Sequence, residues 1–272
     1  AMMQDKKALQ AGTSHFLGQN FARAFDVQFQ NRQGQLDYVW ATSWGVSTRL
    51  IGAVIMTHSD DKGLVLPPAL SPEDAVIIPI YRNDSKAAVI AYAEKLEADL
   101  KAAGFRVVLD IDDSYSPGWK FTEWELRGTP VRIEIGPRDI KSNQVVMVRR
   151  DTSEKLTTSN TEAASKLREL LKFIQDSLFE RARSFRQENT KPISDLGALI
   201  EFFGTETAGT EGAPGGFAES LWCGSPTCEA SIKEKTKATI RCLPLDRQDQ
   251  IEGPCAICGA PAKYLAIFAR NY

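Results

Sequence analysis

AVIIPIYRNDSKAAVIAYAEKLEADLKAAGFRVVL, residues 75–109, is the stretch that decides the fold. Ala75 to Ile80 is a short apolar run of strand type. Val89, Ala93, Leu96, Leu100 and Ala103 then recur every three or four residues, which gathers them on one face of a helix, and Gly104 supplies the stop. Phe105 to Leu109 returns to strand character. Strand, helix and strand in this order make an α/β layer. Downstream, a short helix fits Pro117 to Leu126, and strands fit Val131 to Ile135 and Gln144 to Arg149. A long helix turns Leu167, Leu170, Leu171, Ile174 and Leu178 inward.

Upstream of this layer, Ala1 to Leu9 reads as helix-like without a start signal, so the chain is expected to enter in the middle of an element, as a fragment does. Phe25 to Phe29 and Leu36 to Thr42 alternate apolar and polar residues around the turn Asn31 to Gly34, an antiparallel hairpin. Thr48 to Met56 reads as a buried helix, and Pro67-Pro68 closes the region. After Pro192 the periodicity degrades. Gly204 to Gly216 is a loop rich in Gly, Thr and Glu, expected to tether a last unit, Phe217 to Tyr272, whose core would be thin without a staple. The expected domains are 1–70, 71–189 and 190–272.

Composition agrees with several globular units. The 272 residues are 43% hydrophobic and 25% charged with a formal net charge of −2, which argues against disordered, fibrous and membrane-embedded classes. Nucleic-acid contact would have to come from a local basic surface. With no apolar run of bilayer length and no secretion signal in residues 1–20, a cytoplasmic protein without a membrane partner is expected.

Four of the five cysteines form two close pairs, Cys223 with Cys228 and Cys255 with Cys258. Such pairs can supply four sulfur ligands to a structural, tetrahedral Zn²⁺; unrelated free thiols are the alternative. Cys242 is left as a spare buried thiol. Gln10-Ala11-Gly12-Thr13-Ser14-His15 is a small polar turn that lets backbone and hydroxyls approach a ligand, or an ordinary turn. Arg49 follows Ser47 at the start of a helix, where the helix dipole disfavours a cation unless an anion or solvent compensates. Around residues 119–141, Trp119, Lys120, Phe121, Trp124, Arg127, Arg132, Arg138 and Lys141 interleave with Glu123, Glu125, Glu134 and Asp139. This mixture suits stacking and reading of unpaired bases, or a solvated charged face over a core tryptophan.

The strings Gly12-Thr13-Ser14-His15-Phe16-Leu17-Gly18-Gln19-Asn20-Phe21, Ser43-Trp44-Gly45-Val46-Ser47-Thr48-Arg49 and Gly63-Leu64-Val65-Leu66-Pro67-Pro68 resemble class II prolyl-tRNA synthetases of the archaeal and eukaryotic type. Ser116-Pro117-Gly118-Trp119-Lys120-Phe121 and Gly136-Pro137-Arg138-Asp139 extend the resemblance over the whole chain. It implies a mixed α/β and α+β multidomain fold: the end of a class II antiparallel-sheet catalytic domain with motif 3, an α/β anticodon-binding domain, and a small α+β zinc-binding C-terminal domain. It implies that Gln10, Thr13, Ser47 and Arg49 bind ATP, taken with Mg²⁺, and that His15 lies by the proline. Lys120, Glu125, Arg132, Glu134 and Arg138 are implied to contact tRNA(Pro), and Cys223, Cys228, Cys255 and Cys258 to hold Zn²⁺. Motifs 1 and 2 are not in the chain, so a missing N-terminal catalytic segment and a homodimeric parent are implied, and the chain alone is expected to be inactive. A non-catalytic tRNA-binding or regulatory module derived from a synthetase is the alternative. Relatives end in an aromatic residue that packs towards the catalytic domain, which implies a similar role for Tyr272.

Overall fold

The computed structural model describes residues 1–205, 214–249 and 251–272. By compactness the chain divides into one unit formed by Ala1–Ala53 with Glu188–Tyr272 and a second formed by Val54–Gln187. Among the described residues no helix is long and apolar enough to cross a membrane.

The N-terminal part of the first unit carries β1 (Thr13–Gly18), α1 (Asn20–Ala24), β2 (Gln28–Gln30), β3 (Leu36–Tyr38) and β4 (Ala41–Gly45), followed by α2 (Arg49–His58). β2 and β3 pair antiparallel around the Asn31–Gly34 turn, as the alternation predicts. β1 and β4 form a second antiparallel ribbon. Two expectations need correction. Residues 1–9 do not form a helix: Met2 bridges to Ala8, and the loop closes through Lys6, whose φ of 65° takes it out of helical geometry. α2 forms where expected but is not a buried helix, since Leu50, Ile51 and Ile55 are exposed and only Ala53 is buried. An apolar period marks a face able to take a partner; it does not supply one.

The second unit contains β5 (Ala75–Pro79), α3 (Lys86–Ala102), β6 (Val107–Leu109), α4 (Pro117–Arg127), β7 (Val131–Ile135), α5 (Pro137–Lys141), β8 (Gln144–Arg149), β9 (Lys155–Ser159) and α6 (Ala163–Glu188). The sheet runs β6-β5-β7-β8-β9. β5 is parallel to β6 and β7, while β8 and β9 continue antiparallel. Val89, Ala93, Leu96 and Leu100 of α3 and Leu167, Leu171, Ile174 and Leu178 of α6 bury against Ile77, Ile133 and Met147. Val76, Ile78 and Trp124 form a separate small cluster, with Phe121 packed against it. α4 starts with Ser116 accepting from the Trp119 amide and ends at Gly128 with φ 77°. A Cβ on Gly128 would lie 2.6 Å from the Cβ of Leu64, so glycine is needed there for contact as well as for backbone freedom. Sequence periodicity gave no sign of β9, a short polar edge strand, or of α5, which is too short to repeat.

The C-terminal part of the first unit comprises β10 (Thr190–Pro192), α7 (Leu196–Phe203), β11 (Phe217–Trp222), α8 (Pro226–Thr236), β12 (Thr239–Cys242) and β13 (Tyr264–Ala269). Its sheet order is β10-β11-β13-β12. Leu199, Phe202 and Phe203 of α7 pack with Ala218, Ile232, Ala266 and Phe268, so the core includes residues from before the Gly204–Gly216 stretch. Residues 206–213 of that stretch lie outside the described residues.

One ion pair fixes the second unit near its start. Arg150, almost fully buried, donates to both oxygens of Asp60 at 2.9 and 2.6 Å. Hydrogen bonds from Arg150 hold the Asp60 carboxyl at about 2, below its ordinary 3.8. Because the folded value is the lower one, this contribution is complete above the unfolded value and is lost as pH falls from about 4 through 2. Asp60→Asn is expected to cost about 1 kcal/mol at pH 7, a figure reduced for the carboxylate's partial exposure, and the difference from wild type should shrink towards pH 3 in paired thermal melts.

Candidate functional sites

The first candidate site grows from the β1–β4 ribbon. Gly12 lets the strands close up: a Cβ there would sit 3.3 Å from the Gly45 carbonyl oxygen and 3.5 Å from Val46. Thr13 pairs with Gly45 and His15 with Ser43. Residues two apart on a strand share a face, so Thr13 and His15 lie on one side of the ribbon. Gln10 Nε2 donates to Thr13 Oγ1 at 2.5 Å, and Arg49 Nη1 donates to Gln10 Oε1 at 3.5 Å. Ser47 Oγ accepts from the Arg49 amide at 3.3 Å, which seats Arg49 at the first turn of α2. The structure therefore brings Gln10, Thr13, Ser47 and Arg49 into one connected group. His15 is exposed on the same ribbon, and its ring makes no hydrogen bond among the described residues. An exposed guanidinium above hydroxyl and amide groups is suited to hold an anion.

The chain's last residues return to this neighbourhood. Ala8 N donates to the Arg270 carbonyl at 2.8 Å, and Tyr272 N donates to the Ala8 carbonyl at 3.1 Å. That parallel bridge pins Asn271 two residues before Gln10.

The second site lies along α4 and β7. Arg132 donates through Nη1 to Glu125 at 3.1 Å and through Nε to Glu134 at 3.0 Å, and its guanidinium stands 4.1 Å from the centre of the Phe121 ring. Lys155 Nζ reaches Glu134 at 3.4 Å. Carboxylates and cations thus alternate beside an aromatic ring, but Glu134 is 8% exposed and, like Lys120, faces inward: it orients Arg132 and Lys155, while Glu125 and Lys155 are the more open groups able to meet base edges. Arg138 is exposed in α5, apart from this line, with no side-chain partner among the described residues. Sequence reading missed Lys155, because β9 had no readable period.

Lys120 is corrected by the structure. It is 4% exposed, and its ammonium bonds the Asp110 carboxylate at 2.8 Å and the Asp110 carbonyl at 2.9 Å. Trp124 Nε1 donates to the other carboxylate oxygen at 2.8 Å. Helical spacing turns Lys120 and Trp124 to the same inward side of α4, so both serve as internal anchors and present nothing to RNA.

The third site is the cysteine group. The Sγ atoms of Cys223, Cys228, Cys255 and Cys258 all lie within 4.8 Å of one another. Cys223 is 3.7 Å from Cys228 and 3.8 Å from Cys258. Sulfurs bound to one tetrahedral Zn²⁺ with bonds of about 2.3 Å stand about 3.8 Å apart, so the spacing fits a four-sulfur metal site. The thiols are pulled in opposite directions: burial alone would raise Cys255, yet backbone amides of Cys258, Ile257 and Cys223 outweigh it and bring it to about 7, while burial pushes the Cys228 thiol well up. Cys242 is exposed, not a spare buried thiol: it lies on edge strand β12 just past a register shift.

These geometries coincide with matches to known proteins. The family model described as "Anticodon binding domain" matches residues 74–170, and "Prolyl-tRNA synthetase, C-terminal" matches residues 211–272. Proline--tRNA ligase of Chloroherpeton thalassium is 54% identical over 100% of this chain and 56% of its own length. Proline--tRNA ligases of Salinibacter ruber and Christiangramia forsetii are 49% and 47% identical over 100% of this chain and 54% of theirs. The chain belongs to the prolyl-tRNA synthetase family. It spans about half the length of these curated relatives and represents the family's C-terminal portion. Within this prolyl-tRNA synthetase segment, Lys120, Glu125, Arg132, Glu134 and Arg138 fall inside the anticodon-binding match, and the four cysteines fall inside the C-terminal match. Gln10, Thr13, His15, Ser47 and Arg49 lie outside both models but inside the alignments to the relatives.

Replacing Lys120 with Met would strand the carboxylate of Asp110 in a largely buried position, and is expected to destabilise the second unit by about 3 kcal/mol in urea titrations. A melt unchanged from wild type would show the pair to be dispensable.

Proposed function

We propose that this chain is the C-terminal portion of an ATP-dependent ligase that activates proline as its adenylate and transfers it to tRNA(Pro). Three features support the reading: the family membership, the anion-holding group at Arg49, and the base-reading line at Arg132. The single observation that carries it is the contact chain from Arg49 through Gln10 to Thr13, with His15 on the same ribbon face. A pure RNA-binding module would have no use for it.

In this reading the proline carboxylate attacks the α-phosphate of ATP, an O–P bond forms, and pyrophosphate leaves. No protein base is required; the reaction needs negative charge to be held and aligned. Arg49 supplies permanent charge and a forked donor set for phosphate oxygens, and Gln10, Thr13 and Ser47 hold the nucleotide around it. His15 contacts proline. The remaining catalytic segment and a second subunit would complete the site, and ATP would arrive with Mg²⁺. At the other end of the reaction Glu125, Arg132 and Arg138 select the tRNA through unpaired anticodon bases, with Glu134 orienting Arg132 from beneath.

Zn²⁺ is the metal that best suits four cysteine sulfurs at the observed spacing. Its role would be structural: four protein ligands would leave no open position, and Cys223 after β11, Cys228 of α8 and the Cys255–Cys258 turn would be held together through it.

Two measurements test these statements. In the full-length enzyme that contains this sequence, Arg49→Ala is expected to lower proline-dependent ATP–pyrophosphate exchange by about 100-fold while leaving tRNA binding intact; wild-type exchange in the variant would refute the assignment of Arg49. Elemental analysis of the purified chain is expected to find about one zinc per molecule, and chelation should unfold the C-terminal region. A zinc-free chain with an unchanged circular dichroism melt would remove the metal from the account.

A further inference from the structure

The base-reading line uses only one edge of α4. Phe121 and Glu125, four residues apart, form that edge, while Lys120 and Trp124 are turned inward. Trp119, Glu123 and Arg127, also spaced by four, form the opposite edge, which the Arg132 line does not include. That edge lines an open groove of about 790 Å³ together with Glu73, Asp112 and Tyr115.

The floor of the groove is aromatic. Tyr115 and Trp119 are stacked with ring centres 3.7 Å apart and planes 14° from parallel. Trp119 is 45% exposed and Tyr115 47%, values far above those of a core pair. The other aromatic residues of α4 are already engaged: Phe121 lies under Arg132, and Trp124 is buried with Arg127 over its ring. Arg127 is further tied to Glu123 at 2.8 Å. Asp112 spends one oxygen on the Ser114 amide at 2.8 Å, and Glu73 accepts no hydrogen bond among the described residues.

We propose that the Tyr115–Trp119 step is a second nucleobase platform, on which an unpaired base flanking those read by the Arg132 line stacks as a third ring. This rests on the RNA-binding reading above and extends it to the other edge of α4. A flat exposed indole suits any base face, and such stacking is sequence-tolerant because every base has a π-face. The walls decide which part of the nucleotide enters. Among the described residues lining the groove Arg127 is the one cation, and it is paired with Glu123; carboxylates repel phosphate, so the backbone stays outside. Asp112 and Glu73 can accept from amino or ring N–H groups on the base edge. Guanine, whose ring N–H and amino group stand side by side, therefore suits a carboxylate better than uracil, which offers a single N–H.

The test is the affinity of the whole chain for a labelled RNA hairpin whose loop carries a proline anticodon, measured by fluorescence anisotropy at fixed salt. Trp119→Ala is expected to raise Kd about 10-fold, and Trp119→Phe, which keeps a ring, to stay within about threefold of wild type. An abasic nucleotide at the stacked loop position should weaken wild type by a similar factor and leave Trp119→Ala unaffected. Exposed Trp119 can be removed without opening the core, and circular dichroism melts of the variants would verify this. If Trp119→Ala binds like wild type while Arg132→Ala binds weakly, the platform is refuted and the RNA reading stands. If wild type fails to bind the hairpin, the RNA reading falls and the platform with it. An oligoarginine peptide that binds wild type but not Trp119→Ala, with RNA affinity equal in both, would assign the groove to a basic protein partner and overturn the proposal.

Discussion

The carboxylate of Asp110 is the constraint on which the second unit's chemistry depends. It sits just past the end of β6, where Lys120 holds one oxygen and Trp124 the other. Burial alone would raise its pKa, but these donors outweigh burial and hold it below the ordinary carboxylate range, so the group is charged in the folded protein. A charged group in such a place must be answered by donors; both side-chain donors come from α4, and the Asp112 amide adds a third from the loop. The strand end therefore dictates where α4 lies and how it is rotated. That rotation turns Phe121 and Glu125 towards Arg132, and sends Trp119 to the other side.

The first unit has a comparable economy. The β1–β4 ribbon is short, and several of its large side chains, including Phe16 and Trp44, are exposed. Its order comes from close strand approach at Gly12 and from the bridge between Ala8 and Asn271. The bridge ties the residues preceding Gln10 to the strand system that carries the cysteine group, since β13 leads directly into Asn271. A structural metal among the four sulfurs would then steady both ends of this connection.

Much of this was legible in the sequence, and the reasons for the gaps are physical. The β5–α3–β6 order, the buried faces of α3 and α6, and the β2–β3 hairpin follow from side-chain periods that require a core. The cysteine pairs signalled a joint site because sulfur spacing survives any detail of the fold between them. Periodicity could not tell that the apolar side of α2 would stay open, since burial needs a second surface. Nor could it tell that Lys120 points inward, because a buried lysine depends on a carboxylate supplied by a loop ten residues away. Lys155 was invisible for the opposite reason: its strand is polar and takes its place only through pairing with β8. The contact between Arg49 and Gln10 joins residues 39 apart in sequence. Resemblance to a family suggested their common role, while residue chemistry alone favoured an ordinary turn.

The most direct measurement is an NMR titration of the arginine Nε–H signals of this chain with RNA carrying a proline anticodon loop. The account predicts that the Arg132 signal shifts strongly, since its Nε–H bond to Glu134 must rearrange when bases are read, while Arg49 stays unmoved. Shifts at Arg49 with Arg132 silent would contradict the assignment of α4 and β7 as the RNA-reading surface.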